Sequence, residues 1–278
     1  MSKGTRSIKI AILGLGVVGN GVLETLTYKK NAFKDQFASE LDVSYILVKD
    51  LNKPRELYSS NALITDDYER ILSDDSVDIV VEVMGGDQPA FDYIKRAMEN
   101  GKSVVTANKE VIAKHGKELK KIAVNADKQL LFEASVGGGI PIIQPLINDL
   151  AANDITAIRA IINGTTNYIL TKMSQENMDF TEALDEAKSL GYAEADPTND
   201  IEGIDAAYKI SILASLAFGV DVNPKNIYVE GITKLTSKDF RYAKELGYEI
   251  KMIKMSDKSV SVDTKESLKE VRKIIKKL

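Results

Sequence analysis

The sequence contains no cysteine and only one histidine. The first absence removes disulfides, thiolate metal sites and a cysteine nucleophile together. The second leaves His115 as the only imidazole, mid-helix beside Gly116, where a packing or surface role is expected. There is no excess of positive charge: 37 Lys and Arg stand against 41 Asp and Glu, for a net charge of −4. That balance carries no electrostatic footprint for nucleic acid. The longest apolar run, "ISILASLAFGV", falls short of the roughly 20 residues that a membrane-spanning helix needs. The opening "MSKGTRSIKIAILGLG" is basic, but its apolar part has strand length and runs into a glycine turn, without the cleavage site of a signal peptide. Repeats and low-complexity linkers are also missing. What is present is 278 residues, 44% hydrophobic and 28% charged, the composition of a soluble globular protein. A cytoplasmic chain is expected, with no membrane and no nucleic-acid partner. It is long enough for one large domain or two modest ones.

The first half alternates β-rich runs with helical patterns, the sign of a parallel sheet covered on both faces. "IKIAIL", "VSYILV", "DIVVEV", "SVVTA" and "QLLFEA" are the strand candidates, with helices near Val17–Lys30, Gln88–Asn100 and Asn108–Asp127. "DIVVEV" suits a strand buried on both faces, apart from Glu82. After "SVGGGIP" the pattern changes. A helix from Pro141 and a long strand "ITAIRAIIN" are expected, then helices near Thr166–Gln175, Thr181–Leu190, Gly203–Phe218 and Lys238–Leu246. "YEIKMIKM" reads as a further strand. "TKESLKEVRKIIKKL" reads as an amphipathic helix with Leu268, Val271, Ile274, Ile275 and Leu278 on one face.

"IKIAILGLGVVGNG" is a strand, then Gly14-x-Gly16-x-x-Gly19, then a helix. The first glycine permits the tight turn, the second the approach of a pyrophosphate, and the third close helix–strand packing. The helix start at Val17 and Val18 adds N–H groups and positive dipole. A glycine pattern alone is weak evidence, but its strand-to-helix context points to a dinucleotide. The second strand ends in "ILVKDLNKPR". Lys49, Lys53 and Arg55 favour NADP, Asp50 keeps NAD open, and a solvated charged loop is the alternative. Two more turns fall at strand ends, with Gly85 and Gly86 in one and Thr106, Asn108 and Lys109 in the other. Lys109 opens a helix, where a cation opposes the dipole, so a functional reason such as an anionic substrate is indicated.

In "GYAEADPTNDIEGIDAAYKI", Asp205 and Lys209 stand one helical turn apart. With Glu202 they form a stripe that continues through Ile212 and Leu216. A solvated face would continue polar; this one turns apolar, so the pair is expected to point inward. Such a lysine could donate a proton to a carbonyl oxygen. An ordinary surface pair worth a few tenths of a kcal/mol is the bland alternative.

The segments "GLGVVGNGV", "VVEVMGG", "VVTANKEVIAKHG", "FEASVGGGIPII", "IINGTTNYIL" and "LGYAEADPTNDIEGIDAAYKI", in this order, resemble the homoserine dehydrogenase family from about Ile8 to Lys251. The resemblance implies an α/β chain. A Rossmann-type doubly wound parallel sheet over residues 1–134 would precede an α+β catalytic and dimerisation domain over 135–260, with the amphipathic helix over 261–278. It implies an NAD(P)-dependent oxidoreductase interconverting L-homoserine and L-aspartate 4-semialdehyde, in threonine and methionine biosynthesis, acting as a homodimer. By motif position, Lys209 looks like the acid/base residue and Asp205 like its partner and a substrate contact. Glu194 should meet the substrate amino group, with Asp200 in support and Thr165 and Thr166 lining the pocket. Lys109 should lie beside nicotinamide and substrate; Gly85, Thr106 and Gly191 should lie near the cofactor. A sodium-like cation is implied at Glu133 and the backbone oxygens of Val136, Gly138 and Ile140.

The sequence leaves the family pattern after "YEIKMIKM". The family's glycine-rich return segment, which contacts the cofactor, has no counterpart, so a short form is expected in which the last helix covers exposed apolar surface. That departure keeps two other readings open: a catalytically impaired NAD(P)-binding relative, and a dehydrogenase for another small amino acid.

Overall fold

A computed structural model describes residues 6–55 and 61–248, and it divides the chain into two units at Gln144/Pro145. The first unit is built on β1 (Arg6–Leu13), β2 (Ser39–Leu47), β3 (Leu63–Thr65), β4 (Val77–Glu82), β5 (Ser103–Thr106) and β6 (Leu130–Leu131). These form one sheet in the order β3-β2-β1-β4-β5-β6, every pair parallel. Parallel neighbours need crossovers. They are supplied by α1 (Val17–Tyr28) and α2 (Lys30–Phe37), α3 (Tyr68–Leu72), α4 (Ala90–Glu99) and α5 (Lys109–Asn125). This is the doubly wound arrangement, with its order reversing between β1 and β4, where such sheets take their ligands.

Burial explains why these hydrophobic runs form strands. Ala11, Ile12 and Leu13 are fully buried in β1, so side chains on both faces of that strand are covered. Ile12, Leu23 of α1 and Ile46 of β2 meet in the core with Ile10, Val48 and Val81. In α4, Ala90, Ile94, Ala97 and Met98 recur at helical spacing and are all buried. Three elements of this unit are not among those expected. β3 and α3 are too short to show a period, and α2 buries none of its residues, so it carries no apolar stripe.

In the second unit, α6 (Gly164–Gln175) and α7 (Phe180–Ser189) make a helical hairpin around Ile169, Met173, Ala183 and Ala187. A short α8 (Thr198–Ile201) leads into α9 (Ile204–Ala217), and α10 (Ser237–Glu245) follows. The turn between α8 and α9 requires Gly203. Its φ is +78°, and a Cβ there would lie 2.8 Å from Val229 Cγ1.

Two expectations need correction. Residues 155–163, "ITAIRAIIN", belong to no ladder. No other described segment of this unit is a strand, so there is no edge for them to pair with. Among its described residues the second unit is helical. No helix starts at Pro141 either. The backbone N–H groups of Ile142, Ile143 and Gln144 are drawn onto the Glu133 carboxylate, and a π-type turn follows over Pro145–Asp149. The same three bonds tie residues 142–144 to the first unit, beyond the boundary expected at 134/135. The strand expected at "YEIKMIKM", beyond Tyr248, and the helix over 261–278 lie outside the described residues. Among the described residues, no helix is long and apolar enough to cross a membrane.

Candidate active site

The glycine turn sits at the switch point of the sheet. Gly14 N–H donates to the Leu47 carbonyl of β2 (2.9 Å), and Val83 N–H donates to Leu13 (2.9 Å). A Cβ on Gly19 would lie 2.1 Å from the Gly14 carbonyl oxygen, so α1 can pack on its strand only with glycine there. Gly16 is the opposite case: exposed, with nothing within 4 Å of a Cβ position. α1 begins at Val17 without a side-chain cap and without an acidic residue in its first turn. Open space above Gly16 and an uncapped helix start fit a dinucleotide pyrophosphate.

Two neighbouring strand ends are organised by Glu82, which is fully buried at the end of β4. Its carboxylate accepts from Thr106 Oγ1 (2.6 Å) and from Met84 N–H (2.8 Å). Thr106 Oγ1 in turn accepts from Asn108 N–H (2.9 Å), and Asn108 Nδ2 donates to the Gly86 carbonyl (2.7 Å). The Gly85–Gly86 turn and the Thr106–Lys109 turn are thereby one hydrogen-bonded piece. Asn108 also caps α5 by accepting from Val111 N–H, which places the half-buried Lys109 at the first helical position. After β2, Lys49 is exposed, and Arg55 folds back on the loop, donating to the carbonyls of Lys53 (2.8 Å) and Asp50. His115 has a surface role: Nε2 lies 2.8 Å from Asp87 Oδ1 and the ring stacks on Phe91.

In the second unit the inward-pointing pair is found. Asp205 is 2% exposed, and Lys209 Nζ lies 2.8 Å from its Oδ2. Lys209 also donates to the Ile162 carbonyl (2.9 Å). An ammonium carries three N–H donors. Among the described residues these two acceptors are the ones recorded, which leaves one proton to offer to a ligand oxygen. Asp200 of α8 joins the cluster through Asn163, whose Nδ2 donates to Asp200 Oδ1 (2.7 Å) and to Asp205 Oδ2 (3.0 Å). Two carboxylates and one ammonium thus share one hydrogen-bonded cluster, an arrangement that can hold a ligand cation beside a proton donor.

The other expected site residues are placed as follows. Glu194 is exposed, and no hydrogen bond or ion pair is recorded for it among the described residues. Thr165 Oγ1 donates to the Tyr192 carbonyl (2.6 Å), binding the turn at Gly191 to α6, while Thr166 bonds to Asn163. Glu202 precedes α9, is exposed and accepts from Thr233, so it does not continue the buried stripe.

Two family models match the chain: one described as homoserine dehydrogenase, NAD binding domain, over residues 14–133, and one described as homoserine dehydrogenase over residues 141–273. A homoserine dehydrogenase of Synechocystis is 44% identical over 258 residues, 93% of this chain and 59% of that protein. The crystal structure of a homoserine dehydrogenase from Thiobacillus denitrificans is 44% identical at a TM-score of 0.83, covering 88% of this chain and 57% of that one. A hyperthermophilic archaeal homoserine dehydrogenase, solved in complex with NADPH, is 32% identical at a TM-score of 0.72, covering 83% and 76%. The chain belongs to the homoserine dehydrogenase family. It spans about 59% of the length of the curated relatives it matches.

Membership of the homoserine dehydrogenase family bears on the turn at Glu133. Both carboxylate oxygens are engaged: Oε1 accepts from Ile142 (2.6 Å) and Ile143 (2.8 Å), and Oε2 from Gln144 (2.8 Å). Burial raises the carboxyl pKa, and the three backbone N–H donors more than offset this, so it lies below the usual carboxylate range. The turn is tight enough that a Cβ on Gly137 would lie 2.5 Å from the Ile140 carbonyl oxygen. No group of three or more His, Cys, Asp or Glu that could hold a metal exists among the described residues. One carboxylate with backbone carbonyls at Val136, Gly138 and Ile140 is nevertheless a donor set suited to a hard cation.

Sequence reasoning missed Asn163 and left Glu82 without a role. The signal for Asn163 was its place just before the α6 helix, where asparagine caps. The signal for Glu82 was a carboxylate inside a strand buried on both faces, which has to find donors.

Because the folded pKa of Glu133 is depressed, its contribution to stability is complete above the unfolded value and is lost as pH falls through the folded one. Thermal unfolding of E133Q against the unaltered chain should show a Tm deficit that is widest near neutrality. That deficit should close below about pH 4; one that stays constant down to acid would contradict the role given to the three N–H donors.

Proposed function

We propose that this chain interconverts L-homoserine and L-aspartate 4-semialdehyde with a nicotinamide dinucleotide, NADP favoured over NAD, as a step in threonine and methionine biosynthesis. The observation that carries this reading is the buried Asp205–Lys209 pair, held from both ends in a chain of the homoserine dehydrogenase family. When bound, the reduced nicotinamide supplies hydride to the aldehyde carbon. Gly14, Gly16, Gly19, Val17 and Val18 hold its pyrophosphate by backbone. Lys49 and Arg55 meet the 2′-phosphate once Arg55 releases the two loop carbonyls it now bonds. Gly85, Thr106, Lys109 and Gly191 complete the cofactor contacts. The NADPH complex of the archaeal relative supports the choice of cofactor.

Lys209 is the acid: its remaining N–H protonates the substrate oxygen as hydride arrives, and its charge stabilises the developing alkoxide. Asp205 fixes Lys209 and with Asp200 and Glu194 takes the substrate ammonium, so that the aldehyde carbon is oriented for transfer. Thr165 and Thr166 shape the wall. A monovalent cation held by Glu133 and the carbonyls of Val136, Gly138 and Ile140 would stiffen that turn. We place the chain in the cytoplasm as a homodimer. Ile147, Leu150, Ile161 and Tyr228 of the second unit are exposed in the single chain, which supports an apolar partner surface.

Stopped-flow or steady-state turnover of both substrates tests the reading. Lys209→Ala should lower kcat by about 10²–10⁴-fold with NADPH affinity kept, while Arg55→Ala should weaken NADPH and leave NADH unchanged. Turnover untouched by Lys209→Ala would sink the assignment. NADPH binding without turnover by the unaltered chain would favour a cofactor-binding relative, and turnover of a different amino acid alone another dehydrogenase. Sedimentation velocity should give twice the chain mass; a monomer at micromolar concentration would refute the dimer.

A further inference from the structure

We propose that Asn163 is a positioning residue for the acid/base pair, an inference that rests on the reading of Lys209 as the proton donor. The Asn163 side chain is buried, at 8% exposure, and its hydrogen-bonding capacity is used in full. Nδ2 donates to Asp200 Oδ1 (2.7 Å) and Asp205 Oδ2 (3.0 Å), while Oδ1 accepts from Thr166 N–H (2.8 Å) and Thr166 Oγ1 (2.9 Å). An amide has two donors and two lone pairs to satisfy, and here all four are. The orientation is fixed by charge as well, because a flipped amide would set its carbonyl oxygen against two carboxylates.

The residue therefore does two separable things. Its oxygen caps α6, and its NH₂ group bridges the carboxylates of α8 and α9. Asp205 Oδ2 receives both Asn163 Nδ2 and Lys209 Nζ, so the amide sets where the carboxylate stands and the carboxylate sets where the ammonium stands. The adjacent Ile162 carbonyl takes another proton of Lys209. Two consecutive residues thus grip both ends of one ion pair, and without the bridge Asp200 and Asp205 would face each other as like charges. The titratable groups recorded at Asn163 are Asp200 of α8 and Asp205 of α9, with Lys209 behind the latter. Tyr168, Lys172, Glu176 and Glu186 form a separate network further along α6 and α7.

The two roles come apart on substitution. Asparagine, aspartate and serine all cap a helix. Asn163→Asp keeps the capping oxygen, loses the bridging donors and adds a third carboxylate. Asn163→Ser keeps a cap and loses the bridge without adding charge. In the unaltered homoserine-active chain as reference, both should lower kcat, by roughly 10²-fold for a displaced reacting group, with NADPH affinity retained. The kcat of Asn163→Asp should recover partly as pH falls, when one of the three carboxylates takes up a proton. Its Tm deficit should be widest at alkaline pH and shrink towards acid, since like charges raise the folded-state pKa. Asn163→Ser, which leaves two facing carboxylates instead of three, should show the same trend over a smaller span. Wild-type kcat in Asn163→Ser, or a pH-independent Tm deficit in Asn163→Asp, overturns the proposal and leaves Asn163 a helix cap. If the unaltered chain turned over neither substrate, the reading of function would fail, while the pH course of the Asn163→Asp deficit would still decide whether the bridge exists.

Discussion

A carboxylate almost completely removed from water must be paired, and the second unit is arranged around that requirement at Asp205. Stripping one partner from a buried ion pair costs about 3–5 kcal/mol, whereas the intact pair adds little over an apolar substitute. Such a pair is an expensive way to hold a helix in place. Here the Asp205 carboxylate accepts from the Asn163 amide and the Lys209 ammonium, and that ammonium also donates to the Ile162 carbonyl. Stability alone does not call for that arrangement, whereas the proton transfer proposed for Lys209 would use it.

The first unit follows the same economy of using one group for two ends. Glu82 joins the loops after β4 and β5, and Glu133 gathers three backbone N–H groups where the first unit ends. In each case a buried or half-buried carboxylate replaces what water would give to backbone groups leaving regular structure. Rigid loops at the carboxyl end of the sheet are what a dinucleotide site needs, because the ligand is met mainly by backbone.

How much of this the sequence discloses depends on how far apart the cooperating residues lie. The Gly14–Gly19 turn was legible because its constraints are local: strand, tight turn and helix occupy adjacent residues. Asp205 and Lys209 were legible because they sit one turn apart in an apolar helix. Asn163 was not, since its carboxylate partners are 37 and 42 residues away and only the folded hairpin brings them near. "ITAIRAIIN" misled for the complementary reason. Its β-branched composition records a preference for extended backbone, but a strand exists only where another edge accepts its hydrogen bonds. The outward Glu202 shows the same limit: spacing assigns a residue to a segment, and tertiary contacts decide what it touches.

The claim at the centre of this account is that the Asp205–Lys209 pair serves chemistry rather than folding. The double variant D205N/K209M removes both charges and keeps similar volumes, and its unfolding free energy and turnover can be measured on the same preparation. The account predicts stability within about 1–2 kcal/mol of the unaltered chain, or above it, with homoserine oxidation abolished. A variant that still turns over homoserine, or one that fails to fold where the unaltered chain folds, would contradict it.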